Sequence, residues 1–121
     1  MAKTVLIVDD IYLNRRVLLK SLQATGYHVL EAENGKEAIE MLKVHDICCV
    51  LMDIEMPVMN GIETVRYIRT QMLPPKSEVK IFAITAYDND TIHDYLDFSG
   101  FDGVISKPFS MQQIEKILSQ A

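Results

Sequence analysis

Unbroken apolar runs and helix-period stripes alternate five times along the chain. Val5-Leu6-Ile7-Val8 is a run expected of a buried strand. A helical stretch follows, with Leu13, Val17, Leu18 and Leu22 on one predicted stripe and Gly26 as its stop. His28 to Glu31 reads as a short second strand, and Asn34-Gly35 turns the chain into a helix marked by Ala38, Met41 and Leu42. Ile47 to Met52 is apolar throughout, the pattern of a strand covered on both faces.

The same alternation continues to the C-terminus. Asn60 and Glu63 form a predicted capping box ahead of a stripe at Ile62, Val65, Ile68 and Met72. Leu73 to Glu78, with Pro74-Pro75, is expected to be a loop that stops this helix. Val79 to Ile84 reads as strand four. Asp88 to Asp90 would cap a helix carrying Ile92, Tyr95 and Leu96, ended by Gly100. Gly103 to Ser106 is the predicted fifth strand. Ser110 and Gln113 open a last helix with Met111, Ile114, Ile117 and Leu118 inward.

Five strand–helix repeats imply an α/β fold: a doubly wound, five-stranded parallel sheet with helices on both faces. The flavodoxin-like strand order 2-1-3-4-5 is the expected winding. There is no linker or composition break, so residues 1–121 are expected to be one domain. At 13.8 kDa the folded surface should be roughly 6,600 Å², about a third of the extended chain's, which leaves room for one ordinary core.

Composition narrows the function classes. Apolar residues make up 49% and charged residues 24%, which excludes disordered and low-complexity chains. Net charge is −5 and the largest basic cluster is Arg15-Arg16, so direct nucleic-acid binding is not expected. The longest apolar run is too short for a membrane span, and a soluble, cytoplasmic protein is expected. Cys48 and Cys49 are neighbours and cannot pair without strain. They are expected to be buried small hydrophobes, and no Cys or His spacing suggests zinc.

The chemistry gathers at predicted strand ends. In open α/β sheets, ligands lie beyond the carboxyl ends of the strands, at the point where strand order reverses. Strand one ends in Asp9-Asp10, strand three in Asp53, strand four in Thr85 and strand five in Lys107. Taken singly, Asp10 is a helix cap, Lys107 a solvated charge and Thr85 a strand-end residue. Taken together, three carboxylates in one crevice repel unless a cation joins them, and Lys107 offsets only one. A hard divalent ion, Mg²⁺, satisfies such a donor set. Asp53 lies between the acid pair and the lysine, which makes it the candidate nucleophile for an aspartyl phosphate.

Four stretches, VLIVDD (5–10), VLMDIEMPVMNG (50–61), ITA (84–86) and SKPF (106–109), resemble in order and spacing the response-regulator receiver domains of two-component signalling. The resemblance covers the whole chain. It implies that Asp53 accepts a phosphoryl group from phosphohistidine of a histidine kinase or histidine phosphotransfer protein. Asp10 and Asp53 would ligate Mg²⁺ with the backbone carbonyl of Glu55, and Asp9 would act through water. Thr85 and Lys107 would hold the phosphoryl oxygens, and Lys107-Pro108 would be cis. Phosphorylation would shift a conformational equilibrium that controls binding of a downstream protein target. Helix one and the loop after strand five, with Leu13, Asn14, Pro108 and Phe109, would meet the phosphodonor.

Two departures stand out. The family's usual aromatic three residues before the lysine is Val104 here, so readout through the loop Ala86 to Asp90 is expected. Glu55 and Tyr87 would line the water path to the acyl phosphate. Other readings fit less well. A haloacid dehalogenase-type phosphohydrolase places a second Asp where Glu55 stands, and a flavodoxin-type FMN carrier needs a hydroxyl- and Gly-rich loop in place of Asp9-Asp10. A receiver-like adaptor without phosphorylation is the remaining alternative. With Met1 at the start and no linker after Leu118, a stand-alone receiver is expected, although Asn14 and Pro74-Pro75 also resemble receivers of hybrid histidine kinases.

Overall fold

The computed structural model describes residues 3–54, 59–86 and 90–119. Five strands, β1 (Thr4–Val8), β2 (His28–Ala32), β3 (Cys49–Asp53), β4 (Lys80–Thr85) and β5 (Gly103–Ser106), alternate with five helices. These are α1 (Tyr12–Ala24), α2 (Gly35–Val44), α3 (Gly61–Gln71), α4 (Asp90–Ser99) and α5 (Met111–Ser119). All neighbouring strands pair in parallel, in the order β2-β1-β3-β4-β5. Among the described residues no helix is long and apolar enough to cross a membrane.

Strand alternation divides the core into two layers. Val5 and Ile7 of β1 join Leu18, Leu22, Ile114 and Leu118, so α1 and α5 cover one face. Leu6 and Val8 join Ala38, Leu42, Val65, Ile68 and Leu96, which puts α2, α3 and α4 on the other. β3 is buried at every position, as the central strand of a doubly covered sheet must be.

The helix signals act as expected. Asn34 accepts the Glu37 N–H at 2.9 Å. Asn60 and Glu63 make the reciprocal capping box, and Ser110 and Gln113 exchange the equivalent pair of bonds. Gly26 and Gly100 follow α1 and α4 at positive φ. The cap expected at 88–89 lies outside the described residues.

Several expectations are corrected. Leu13 and Val17 are not on the buried stripe of α1: they are 71% and 64% exposed. The buried residues are Arg15, Leu18 and Leu22, a face of the same helical period rotated away from Leu13. The segment 73–78 is not wholly irregular, since Lys76–Glu78 forms a single 3₁₀ turn after the cis bond Pro74-Pro75. β3 and β4 each start and end later than the apolar runs suggest. Cys49 is buried, whereas Cys48 precedes the strand and is only half-buried.

The end of the sheet opposite the carboxylates is pinned by two cations. Arg69 of α3 donates to the carbonyls of Gly100 (3.0 Å), Ser77 (2.9 Å) and Val79 (2.6 Å), and to Asp102 Oδ2 (2.9 Å). Asp102 Oδ2 also accepts the Ile81 N–H at 2.8 Å. Lys76 Nζ donates to the Leu42 carbonyl and to that of His45, satisfying acceptors at the end of α2.

Candidate functional site

Sheet register brings the acids together. Val8 stands opposite Met52 on the adjacent strand, so Asp9 and Asp53 follow as the next residues of neighbouring chains. Asp53 in turn stands opposite Ile84, one residue before Thr85. Ligand oxygens of Asp9, Asp10 and Asp53 all lie within 4.8 Å of one another. Asp9 and Asp53 are buried and Asp10 faces solvent.

Asp9 is fixed on every side. Its N–H donates to the Ala32 carbonyl at 3.1 Å, and its own carbonyl accepts Arg15 Nη1 at 2.7 Å. One carboxylate oxygen accepts the Ile11 N–H at 2.8 Å, and the other accepts Asn14 Nδ2 at 3.2 Å. The residue at the N-cap of α1 is Ile11, and no side chain caps that end. Asp10 therefore does not serve as the cap of α1, and that alternative explanation for its presence falls away.

The remaining predicted residues lie around this cluster. Thr85 is buried at the end of β4, and its carbonyl accepts the Lys107 N–H at 2.8 Å. Lys107 is half-buried, and the bond to Pro108 is cis as expected. Asp9 and Lys107 line one open cleft of about 310 Å³ with Asn14, Val17, Pro108 and Phe109. Phe109 also packs against the α1/α5 core layer, whereas Leu13 projects from it. Glu55 and Tyr87 lie outside the described residues, so their expected roles stay as expectations. Val104 stands opposite Ala83 of β4 and packs, half-buried, against the α2/α3/α4 layer.

The connection after Asp53 is held at both ends. Gly61 N–H donates to the Ile54 carbonyl at 3.1 Å. A Cβ on Gly61 would lie 2.8 Å from Ile54 Cα, so the helix start can approach the strand end only because residue 61 has none. At the other side, Gly35 N–H donates to the Met59 carbonyl at 3.3 Å, and a Cβ there would meet Thr64 Oγ1.

Sequence reasoning missed Arg15. It is 6% exposed, its Nε donates to Glu31 Oε1 at 3.1 Å, and Nη2 approaches Glu33 Oε1 at 3.5 Å. Arg16 pairs with the other oxygen of Glu31. That hydrogen bond is the largest cause of a Glu31 carboxyl held below its ordinary value and of an Arg16 guanidinium raised above its own; burial opposes both and the Arg15 contact assists at Glu31. The signal available in the sequence was the 15, 18, 22 spacing, which a purely apolar stripe overlooks.

Three carboxylates whose oxygens lie within 4.8 Å of one another suit a hard divalent ion with oxygen ligands, and they disfavour a soft thiophilic one. The only cysteines sit elsewhere, and burial pushes the Cys49 thiol far up.

A protein-family model described as response regulator receiver domain matches residues 5–119. The chain belongs to this family. The receiver domain is 33% identical over 118 residues to a cyclic di-GMP phosphodiesterase of Thermotoga maritima, covering 98% of this chain but only 30% of that protein. It is 30% identical over 120 residues to the polar-differentiation response regulator DivK of Brucella anthropi, covering 98% and 96% of the two chains. Its fold superposes on chemotaxis protein CheY4 of Vibrio cholerae with a TM-score of 0.89 at 28% identity, over 99% and 98% of the chains. The receiver domain of sensor histidine kinase PA1611 of Pseudomonas aeruginosa, described with magnesium in its active-site cleft, gives 0.88 at 26%, over 99% and 97%. A Saccharomyces cerevisiae response-regulator receiver, solved in complex with a histidine phosphotransfer protein, also gives 0.88 at 26%, over 98% and 88%. The protein is a receiver domain of two-component signalling, and its acidic cluster fits a phosphoacceptor site.

Proposed function

We propose that Asp53 accepts a phosphoryl group from the phosphohistidine of a histidine kinase or histidine phosphotransfer protein, with Mg²⁺ held by Asp10 and Asp53. The observation that carries this reading is the convergence of three carboxylates within 4.8 Å, beside a cleft that also holds Lys107. Bound Mg²⁺ would neutralise these acids and the oxygens of the incoming phosphoryl group. A carboxylate oxygen of Asp53 attacks phosphorus; the new O–P bond forms as the P–N bond breaks, and the departing imidazole nitrogen takes up a proton from water in the open cleft. Lys107 offsets charge on the phosphoryl group, and the Thr85 hydroxyl donates to one of its oxygens. Asp9, with both carboxylate oxygens already accepting hydrogen bonds, acts through water. The backbone carbonyl of Glu55 completes the ligand set implied by family resemblance.

The phosphoryl group stays on the protein, so the domain works as a signal carrier and not as a turnover enzyme. The phosphorylated state binds a downstream protein target, in the cytoplasm where kinase and phosphotransfer domains operate. Exposed Ile11, Tyr12, Leu13 and Val17, beside the cleft-lining Asn14, Pro108 and Phe109, supply an apolar face for the phosphodonor.

Intact-mass measurement after incubation with acetyl phosphate and Mg²⁺ tests the assignment. One phosphate is expected on the wild-type chain, none on Asp53→Asn, and none on wild type in excess chelator. An equal adduct on Asp53→Asn removes Asp53 from the role. No adduct on wild type favours a docking module that works without phosphorylation.

A further inference from the structure

Among the described residues the buried charged groups are Asp9, Asp53 and Arg15. Two belong to the site, and the third touches it from behind. Arg15 spans three elements: it rises from α1, donates to the Asp9 carbonyl beyond β1, and is gripped by Glu31 of β2. Its guanidinium carbon also lies 5.6 Å from the Tyr12 ring centroid. A guanidinium taken out of water is costly unless its donors are used, and here every donor group has an acceptor.

We infer that Arg15 is a positioning residue for the acid cluster, fixing the Asp9-Asp10 step so that both carboxylates face Asp53. The inference rests on reading that cluster as a divalent-cation site. Charge and position make opposite predictions here. As a charge alone, Arg15 repels an incoming cation, so its removal should tighten Mg²⁺ binding. As a clamp on the Asp9 carbonyl, its removal should let the step relax and weaken binding, as loss of a partner behind a ligand commonly does.

The test is an Mg²⁺ titration followed by the amide shifts of residues 10–13 in two-dimensional NMR, on the whole chain. Arg15→Met is expected to raise the dissociation constant about tenfold. Arg15→Lys, which keeps charge and one donor, should recover part of that loss. Glu31→Gln leaves the guanidinium in place but loosens its grip; it should weaken binding in the same direction and covers the case in which Arg15→Met does not fold. Leu22→Ala, a cavity in the same helix, lowers stability by an unrelated route and should bind as wild type does. Unchanged or tighter binding in Arg15→Met and Glu31→Gln overturns the inference. So does equal weakening in Leu22→Ala, which would mean a general softening of α1. A wild-type chain with no Mg²⁺-dependent shifts instead refutes the cation site itself.

Discussion

Replacing Asp10 by Asn isolates one charge at the cluster while keeping the shape of the side chain. Two unit charges 4.8 Å apart repel by about 0.9 kcal/mol at the dielectric of water and about 3.5 kcal/mol at an effective value of 20. Asp10 faces solvent and Lys107 shares the cleft, so the lower figure applies. Asp10→Asn removes two of the three repulsive pairs, which should stabilise the metal-free protein by about 1–2 kcal/mol. For 121 residues, an unfolding entropy of about 2.1 cal/mol/K per residue converts this into a melting temperature higher by about 4–8 °C. Mg²⁺ narrows that advantage. At ten times its dissociation constant it adds about 1.4 kcal/mol to wild type by mass action, and less to a variant with a poorer ligand. The melting temperatures of wild type and variant should therefore lie closer together in saturating Mg²⁺ than in chelator, and high salt should shrink the metal-free gap. A variant that melts no higher than wild type in chelator, or that keeps the full Mg²⁺ response, refutes the repulsion argument.

Arg69→Ala removes four charge-assisted bonds from a side chain that is 22% exposed, so water recovers part of the loss and about 2–4 kcal/mol remains. Urea unfolding checks this, and a loss below about 1 kcal/mol would show that the hub is replaceable. Glu31→Gln should cost stability at neutral pH but much less in acid. A carboxyl whose folded value is depressed contributes above its unfolded value, and that contribution fades as pH falls through the folded one. Urea midpoints at about pH 7 and about pH 3 measure the narrowing, and a pH-independent difference contradicts the ion-pair account.

Periodicity was enough for the sheet because each strand's apolar run reports burial on two faces directly. Ile47 to Met52 placed β3 within two residues; handedness left few windings for five parallel repeats, and the flavodoxin-like order was chosen among them by its familiarity in such sheets. The acids were legible for the same reason: strand ends in this topology share one edge, so adjacency in the sheet follows from being last in each run. Helix orientation was less legible. A helix with apolar residues at both 13/17 and 18/22 offers two faces, and hydrophobicity alone cannot choose between them. The choice falls to a tertiary contact, the Arg15 bond to the Asp9 carbonyl, which no local pattern contains. Reach of the lysine cap at residue 76 and of the Arg69 hub was equally invisible, because both act on backbone carbonyls of distant segments.

The rotation of α1 links the two halves of the proposed function. Burying a guanidinium is unfavourable by itself, and replacing buried ion pairs with apolar groups often stabilises a fold. The arrangement is sustained because Arg15 finds the Asp9 carbonyl on one side and the Glu31 carboxylate on the other. The same rotation that turns Arg15 inward turns Leu13 and Val17 outward, where Val17 lines the cleft shared by Asp9 and Lys107. Were Val17 packed in the core, the cleft would lose one of its apolar lining residues, and Asp9 would lose its buried donor. One helical phase thus serves both requirements of a phosphoacceptor in the reading proposed here. It holds the acids in register behind the reaction, and it presents hydrophobic surface for a phosphodonor in front of it.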